Sequence, residues 1–192
     1  MHHIIENSNP LLVIVGMAGS GKSSIARHLE QKGWRVIRFG AVTMRELESH
    51  RLPINEANEK AVREELRTIH GMDAYAKLSL PTIMESLSNG PTAIDGLYSW
   101  SEYKFLKQHF GAQMKLIAIF TPRSVRYARL SQRPERPLSF EEAEQRDFAE
   151  IENVEKGGPI AIADYTIVND GTKEDLSRAL DKLLSTLYIE KS

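Results

Sequence analysis

The sequence predicts an α/β fold in which a parallel sheet carries helices on both faces, and three observations predict it. Short apolar runs rich in β-branched residues alternate with segments of helical period, the order that sets strands side by side in parallel. The first run, residues 11–15, is apolar at every position, as a strand covered on both faces must be. A glycine-rich turn, residues 16–23, follows it at once and opens a helix.

The elements follow in order. Helical periodicity starts near Lys22 and stops at Gly33, a residue suited to ending a helix. A second strand is expected at 34–39. Residues 44–87 read as charged helices interrupted by Pro53, by His70-Gly71 and by Pro81. Strands are expected at 92–95, 114–120 and 165–168, and a last helix from 172 to about 188. Between the fourth and fifth strands lie a segment rich in arginine and proline, 123–137, and an acidic helix from 139 to about 154. With no internal repeat or low-complexity stretch, residues 1–192 read as one domain.

The 192 residues are 41% hydrophobic and 27% charged, ordinary for one globular domain. The net charge of -1 provides no global field for nucleic acid or membrane, so neither is expected as a partner. Cysteine is absent, which excludes disulfides and thiolate metal sites and fits a reducing compartment. No apolar stretch approaches the ~18 residues that span a bilayer. The start, MHHIIENSNP, lacks the basic and apolar regions of a secretory signal, and the cytoplasm is the expected location.

Residues 16–23 read GMAGSGKS and match G-x-x-x-x-G-K-[ST], the phosphate-binding P-loop, between the strand and the helix that the motif requires. Gly16, Gly19 and Gly21 let the backbone curl around an anion, and the helix dipole adds positive potential. The candidate nucleotide-binding residues are Gly16, Met17, Ala18, Gly19, Ser20, Gly21, Lys22, Ser23 and Ser24. Lys22 has the reach for the β- and γ-phosphates of ATP, and the Ser23 hydroxyl suits one position around Mg²⁺.

The P-loop, the IDG of residues 94–96, HGMDAYAKL at 70–78 and IADYTIVNDGT at 162–172 together resemble the adenylate-kinase-related and dephospho-CoA-kinase-like P-loop proteins best known from archaea. The similarity runs from about 11 to 184. It implies a three-layer P-loop NTPase fold of the nucleoside monophosphate kinase type, with a five-stranded parallel sheet in the order 2-3-1-4-5. It also implies an acceptor-side helical insert at about 42–90 and a small lid at about 123–139. Arg129 and Arg133 have the spacing of two lid arginines, one over the adenine and one on phosphate, with Arg136 and Arg146 as further candidates. Guanidinium groups suit that work because they grip phosphate oxygens in bidentate fashion. The plainer alternative is a solvated basic face paired with the acidic helix.

Asp95, at the carboxyl end of the third strand, is a candidate Mg²⁺ ligand or base for an acceptor hydroxyl, against the plainer reading of an Asp-Gly turn. Two departures from the family pattern bear on the acceptor: Ala41 stands where an aspartate is usual, and Tyr98 where an arginine is. Arg45 is a nearby cation one position away from the pattern. Tyr98 and Trp100 are candidates to stack on a base or simply to pack, and Asp73 reads as a helix cap.

The leading expectation is transfer of the γ-phosphoryl of ATP to a small nucleotide-like acceptor by a monomer or homodimer, with Lys22, Asp95, Arg133 and Arg146 as catalytic candidates. The second is a dephospho-CoA-type kinase of a hydroxyl acceptor. The third is a regulatory nucleotide-binding ATPase; the guanine-reading string Asn-Lys-x-Asp of a GTPase switch is absent.

Overall fold

The computed structural model describes residues 9–134 and 137–189. Five parallel strands, β1 (Leu11–Val15), β2 (Arg35–Arg38), β3 (Thr92–Asp95), β4 (Met114–Phe120) and β5 (Tyr165–Val168), lie in the order β2-β3-β1-β4-β5. β1 is central and buried at all five positions. Leu11, Val13 and Val15 point into one apolar layer, with Phe39, Tyr75, Ile94 and Leu116, while Leu12 and Ile14 point into the other, with Ile25, Ile117 and Leu180. The unbroken apolar run is thus the record of two cores meeting on one strand.

Helix α1 (Lys22–Gln31) and the terminal α9 (Lys173–Ile189) cover one face. The other carries α2 (Gly40–Ser49), α3 (Glu56–His70), α4 (Ala74–Ser88) and α5 (Trp100–Phe110). After β4 come α6 (Arg123–Ser131), α7 (Phe140–Glu152) and the five-residue α8 (Gly157–Ala161), which the sequence pattern does not announce. Among the described residues, no helix is long and apolar enough to cross a membrane.

The strands expected at 92–95, 114–120 and 165–168 form at those bounds, and β2 falls inside 34–39. Two helical expectations need correction. The helices between β2 and β3 begin at Gly40, not near Met44, because the chain turns directly from Phe39 into α2. Pro81 does not interrupt a helix: α4 runs through it, flanked by the buried Tyr75, Ala76, Ser79 and Ile83. An interior proline costs on the order of 3 kcal/mol, and burial of one whole face of α4 in the core outweighs it.

The arginine- and proline-rich segment after β4 starts as a helix, and that helix has a packed face that its polar composition does not suggest. Arg126, Tyr127 and Leu130 of α6 are buried, and Tyr127 and Leu130 join Ala18 and Ala143 in a small third core behind the glycine-rich turn. The residue types misled here because the buried arginine has a partner sixteen residues beyond the helix end, in α7.

α5 is fixed by a reciprocal cap. The Ser99 hydroxyl accepts from the Glu102 amide at 3.0 Å, and Glu102 Oε2 accepts from the Ser99 and Tyr98 amides at 3.1 and 2.7 Å. The Glu102 side chain is fully buried, and its Oε1 has no hydrogen-bond partner. Burial therefore pushes its carboxyl up to about 7, against the opposing pull of the two amides. Between the ordinary glutamate value and that pH, the folded protein keeps a proton that the unfolded chain has lost. Stability from this group is present at the acid end and falls as pH rises toward 7. In urea titrations at pH 5 and pH 8, Glu102→Gln is expected to lose less stability over that interval than the wild type, by on the order of 3 kcal/mol; equal pH dependence of the two proteins would refute the assignment.

Candidate active site

The P-loop bridges β1 and α1 at the carboxyl edge of the sheet, and its carbonyls are held from outside. Lys22 Nζ donates to the carbonyls of Gly16 and Met17 at 2.7 and 3.0 Å. Arg126 donates to that of Ala18 at 3.0 Å. The Ser20 carbonyl accepts from Asn169 Nδ2 at 2.7 Å and from the Thr121 hydroxyl at 3.1 Å. Peptide groups whose carbonyls are tied outward leave their amides to face the loop interior, the arrangement that receives an anion. Glycine is required where the braces crowd in. Gly21 begins α1 at φ 102°, and a methyl group there would collide with the Asn169 amide; at Gly19, φ 79°, it would come within 2.9 Å of the Arg126 carbonyl.

Arg126 is itself held. Its guanidinium makes paired bonds to both oxygens of Asp147 at 2.9 and 2.6 Å, the Tyr127 hydroxyl adds a third at 3.1 Å, and both charged side chains are buried.

The loop opens onto a cavity of about 410 Å³ lined by Gly19, Gly21, Lys22, Ser23, Ser24, Arg27, Arg129 and Arg133. Arg129 also donates to the carbonyls of Asn169 and Gly171 at 3.2 and 3.3 Å, which joins α6 to the turn after β5. Arg133 is exposed along this wall; partial desolvation and then the charge of Arg146 hold its guanidinium below the ordinary range. Arg27 escaped the sequence reading, although its place one turn after Ser23 on α1 was a usable signal.

Lys22 is half-buried, with its ammonium turned inward against the loop. Burial first, and then the like charge of Lys156, push it down to about 7; Glu150 and Asp95 pull upward, and Arg146 adds to the fall. Asp95 is raised by burial, against the charges of Lys22 and Arg38. Lys22, Asp95 and Arg146 are therefore one electrostatic group. Two members were not expected: Lys156, with only 2% of its side chain exposed, and Glu150, 2.9 Å from it, which also meets Arg146 at 3.4 Å. Nothing in the string VEKGGP distinguishes a buried lysine from a surface one.

The remaining candidates divide. Arg45 and Ala41 are exposed on α2. Asp73 occupies the N-cap position of α4 without capping through its side chain, pairing with Lys77 at 2.8 Å. Trp100 stacks on Tyr103, and Tyr98 meets Tyr75 edge-on at 5.4 Å, so both pack against aromatic neighbours. Arg136 lies outside the described residues. Among the described residues, no cluster of three or more His, Asp or Glu could hold a metal by itself. The Ser23 hydroxyl lines the cavity and Asp95 lies in the field of Lys22, oxygen donors of the kind that Mg²⁺ takes one or two of, with phosphates and water for the rest.

Sheet order, loop and arginine-lined cavity define a P-loop protein with a kinase-like fold. A model of the AAA domain family matches residues 12–155, so the chain belongs to that family. The chain is also a member of the UPF0200 family: it is 34% identical over 184 residues to the UPF0200 protein of Thermococcus onnurineus, covering 94% of this chain and 99% of that one. Among solved structures, it is similar to shikimate kinase from Acinetobacter baumannii, with a TM-score of 0.60 at 21% identity over 94% of this chain and 95% of that one. Dephospho-CoA kinase from Campylobacter jejuni superposes with a TM-score of 0.54 at 16% identity, over 93% and 97%. At these identities the likeness is one of fold. Dephospho-CoA kinase is thus one neighbour of fold beside shikimate kinase, and the adenylate-kinase relation stays an expectation.

Removing Asp147 strands a buried guanidinium beside the loop. Asp147→Ala is expected to cost about 3–5 kcal/mol in chemical unfolding, and Arg126→Met combined with Asp147→Leu should recover most of it; a loss below about 1 kcal/mol in the single variant would show that the pair does not anchor α6.

Proposed function

We propose that the protein transfers the γ-phosphoryl group of ATP to a small nucleotide-like acceptor. The observation that carries this reading is the cavity at the amino end of α1, where a P-loop with outward-tied carbonyls faces three arginines and Lys22. A polyanion of the size of a triphosphate answers that concentration of donors.

In this reading Lys22 leaves the loop carbonyls for the β- and γ-phosphates, and Arg129 and Arg133 close the opposite wall. Ser23 and Asp95 are the residues that would hold Mg²⁺, which supplies charge neutralisation on the phosphates when bound. An acceptor oxygen attacks the γ-phosphorus, the bond to the β,γ-bridging oxygen breaks, and ADP departs with the electron pair. Lys22, Arg133 and Arg146 answer the charge that spreads over the transferred oxygens. Closure of residues 123–139 over the triphosphate belongs to the proposal, with α6 as the half anchored through Arg126.

The preferred acceptor oxygen is that of a phosphate. Ala41 provides no base, a phosphate needs none, and the cations suit an acceptor that brings its own charge. A hydroxyl acceptor is the second reading, and one observation favours it: Asp95 is raised by burial and lies within electrostatic reach of Lys22, as a base at that position would be. The third reading, a regulatory ATPase, uses the same cavity with water as acceptor.

Phosphorus NMR of the protein with ATP and Mg²⁺, offered nucleoside monophosphates, nucleosides and dephospho-CoA in turn with water as blank, separates the three. A diphosphate formed from a monophosphate is expected; a monoester on a sugar hydroxyl, with no diphosphate from any monophosphate, would replace the first reading by the second. Lys22→Ala should lower transfer at least a hundredfold with an unchanged circular dichroism spectrum, and normal turnover in that variant would overturn the P-loop assignment. Ala41→Asp should weaken a monophosphate acceptor severalfold through like-charge repulsion without becoming necessary for turnover; a gain in activity would contradict the phosphate-acceptor reading.

A further inference from the structure

The cavity beside the P-loop has a wall of donors. Its lining side chains are one lysine, two serines and three arginines, and no carboxylate or side-chain amide is among them. Lys22 and both serines stand on the first turn of α1, where the phosphates belong. Arg27 stands one turn further along the face of Ser23, about 6 Å up the helix axis. A nucleotide whose phosphates fill the loop leaves its base to the rest of the cavity, between Arg27 and Arg129.

That end of the cavity is short of free acceptors. The turn after β5 lies against the start of α1, because a methyl group on Gly21 would collide with Asn169 Nδ2. In that turn the Asn169 carbonyl already accepts from the Thr121 hydroxyl at 2.9 Å and from Arg129 at 3.2 Å, and the Gly171 carbonyl from Arg129 at 3.3 Å. Asp175 accepts from the Thr172 hydroxyl and amide at 2.7 and 3.0 Å, and the exposed Asp170 lies outside the cavity lining. These bonds engage the edge of the Arg129 guanidinium and leave its flat face, on which any base stacks. Arg27 is exposed, and only its Nε is tied, to the Ser23 carbonyl at 3.3 Å. Its two terminal nitrogens are the fork that can read a base edge. Adenine needs an acceptor for its amino group, whereas guanine presents O6 and N7, two acceptors that a guanidinium meets together.

We infer that the donor site prefers a guanine nucleotide and that Arg27 is the specificity-determining residue, meeting O6 and N7 while Arg129 stacks on the ring. The inference deepens the proposed phosphoryl transfer and rests on it: the same bonds break and form, with GTP a better donor than ATP. The absence of an Asn-Lys-x-Asp string does not oppose it, since an arginine fork reads that edge unaided.

The probes are GMP-PNP and AMP-PNP, each titrated by calorimetry into the Mg²⁺-saturated protein, so that no acceptor enters the measurement. The wild type should bind GMP-PNP at least about fivefold more tightly. Arg27→Met, an exposed change that leaves the core untouched, should bind the two within about twofold, and Arg27→Gln should turn the preference to AMP-PNP, because a glutamine amide matches the amino group and N7 of adenine. A smaller wild-type preference, or a guanine preference that survives in either variant, overturns the inference. If the wild type binds AMP-PNP the more tightly, the inference falls and the proposed transfer stands; if it binds neither analogue, the fault lies at the P-loop and both fall.

Discussion

A backbone loop that is to face an anion with its amides must satisfy its carbonyls elsewhere, and the arrangement of this molecule around the P-loop follows from that constraint. The carbonyls of Gly16, Met17, Ala18 and Ser20 are answered by a lysine of α1, an arginine of α6, a threonine just after β4 and an asparagine just after β5. Each brace needs its own support. Arg126 needs Asp147, which fixes α7; Asn169 accepts from Arg129 and Thr121 through its carbonyl, which ties α6 and the end of β4 to β5. The loop is rigid because four other elements are built to hold it.

Much of this was legible in the sequence, and the reason is local. A parallel strand buried on both faces must be apolar, and β1 announces itself in that way, as does β4 beyond Lys115. The P-loop is legible because its glycines, lysine and serine fall at fixed spacing within eight residues. The braces were hidden. Arg126, Asp147, Lys156 and Asn169 carry polar labels that read as surface, and they become interior residues through partners 6 positions away for Lys156, 21 for Arg126 and Asp147, and 149 for Asn169. Pro81 misled for the converse reason: a strong local signal was overridden by a packed face that no local rule sees.

Charge economy separates the two sides of the site. On the nucleotide side, Arg27, Arg129 and Arg133 reach the cavity wall, where water can screen them. On the far side, Lys156 is withdrawn from water and Glu150 largely so; both act on Lys22, and Lys156 acts on Asp95 as well. Small changes in charge among these residues therefore alter the behaviour of their neighbours more than equal changes on the outer wall.

The bond from Asn169 to the Ser20 carbonyl joins positions 149 residues apart. During synthesis the GMAGSGKS segment leaves the ribosome well before its last brace, which is translated 149 residues after Ser20. Until then the nascent chain carries the loop without the contact that turns the Ser20 peptide, and β5 has not yet closed the sheet edge beside β4. A chain interrupted between Ser20 and Asn169 therefore holds the motif without the contact that fixes the geometry of its loop.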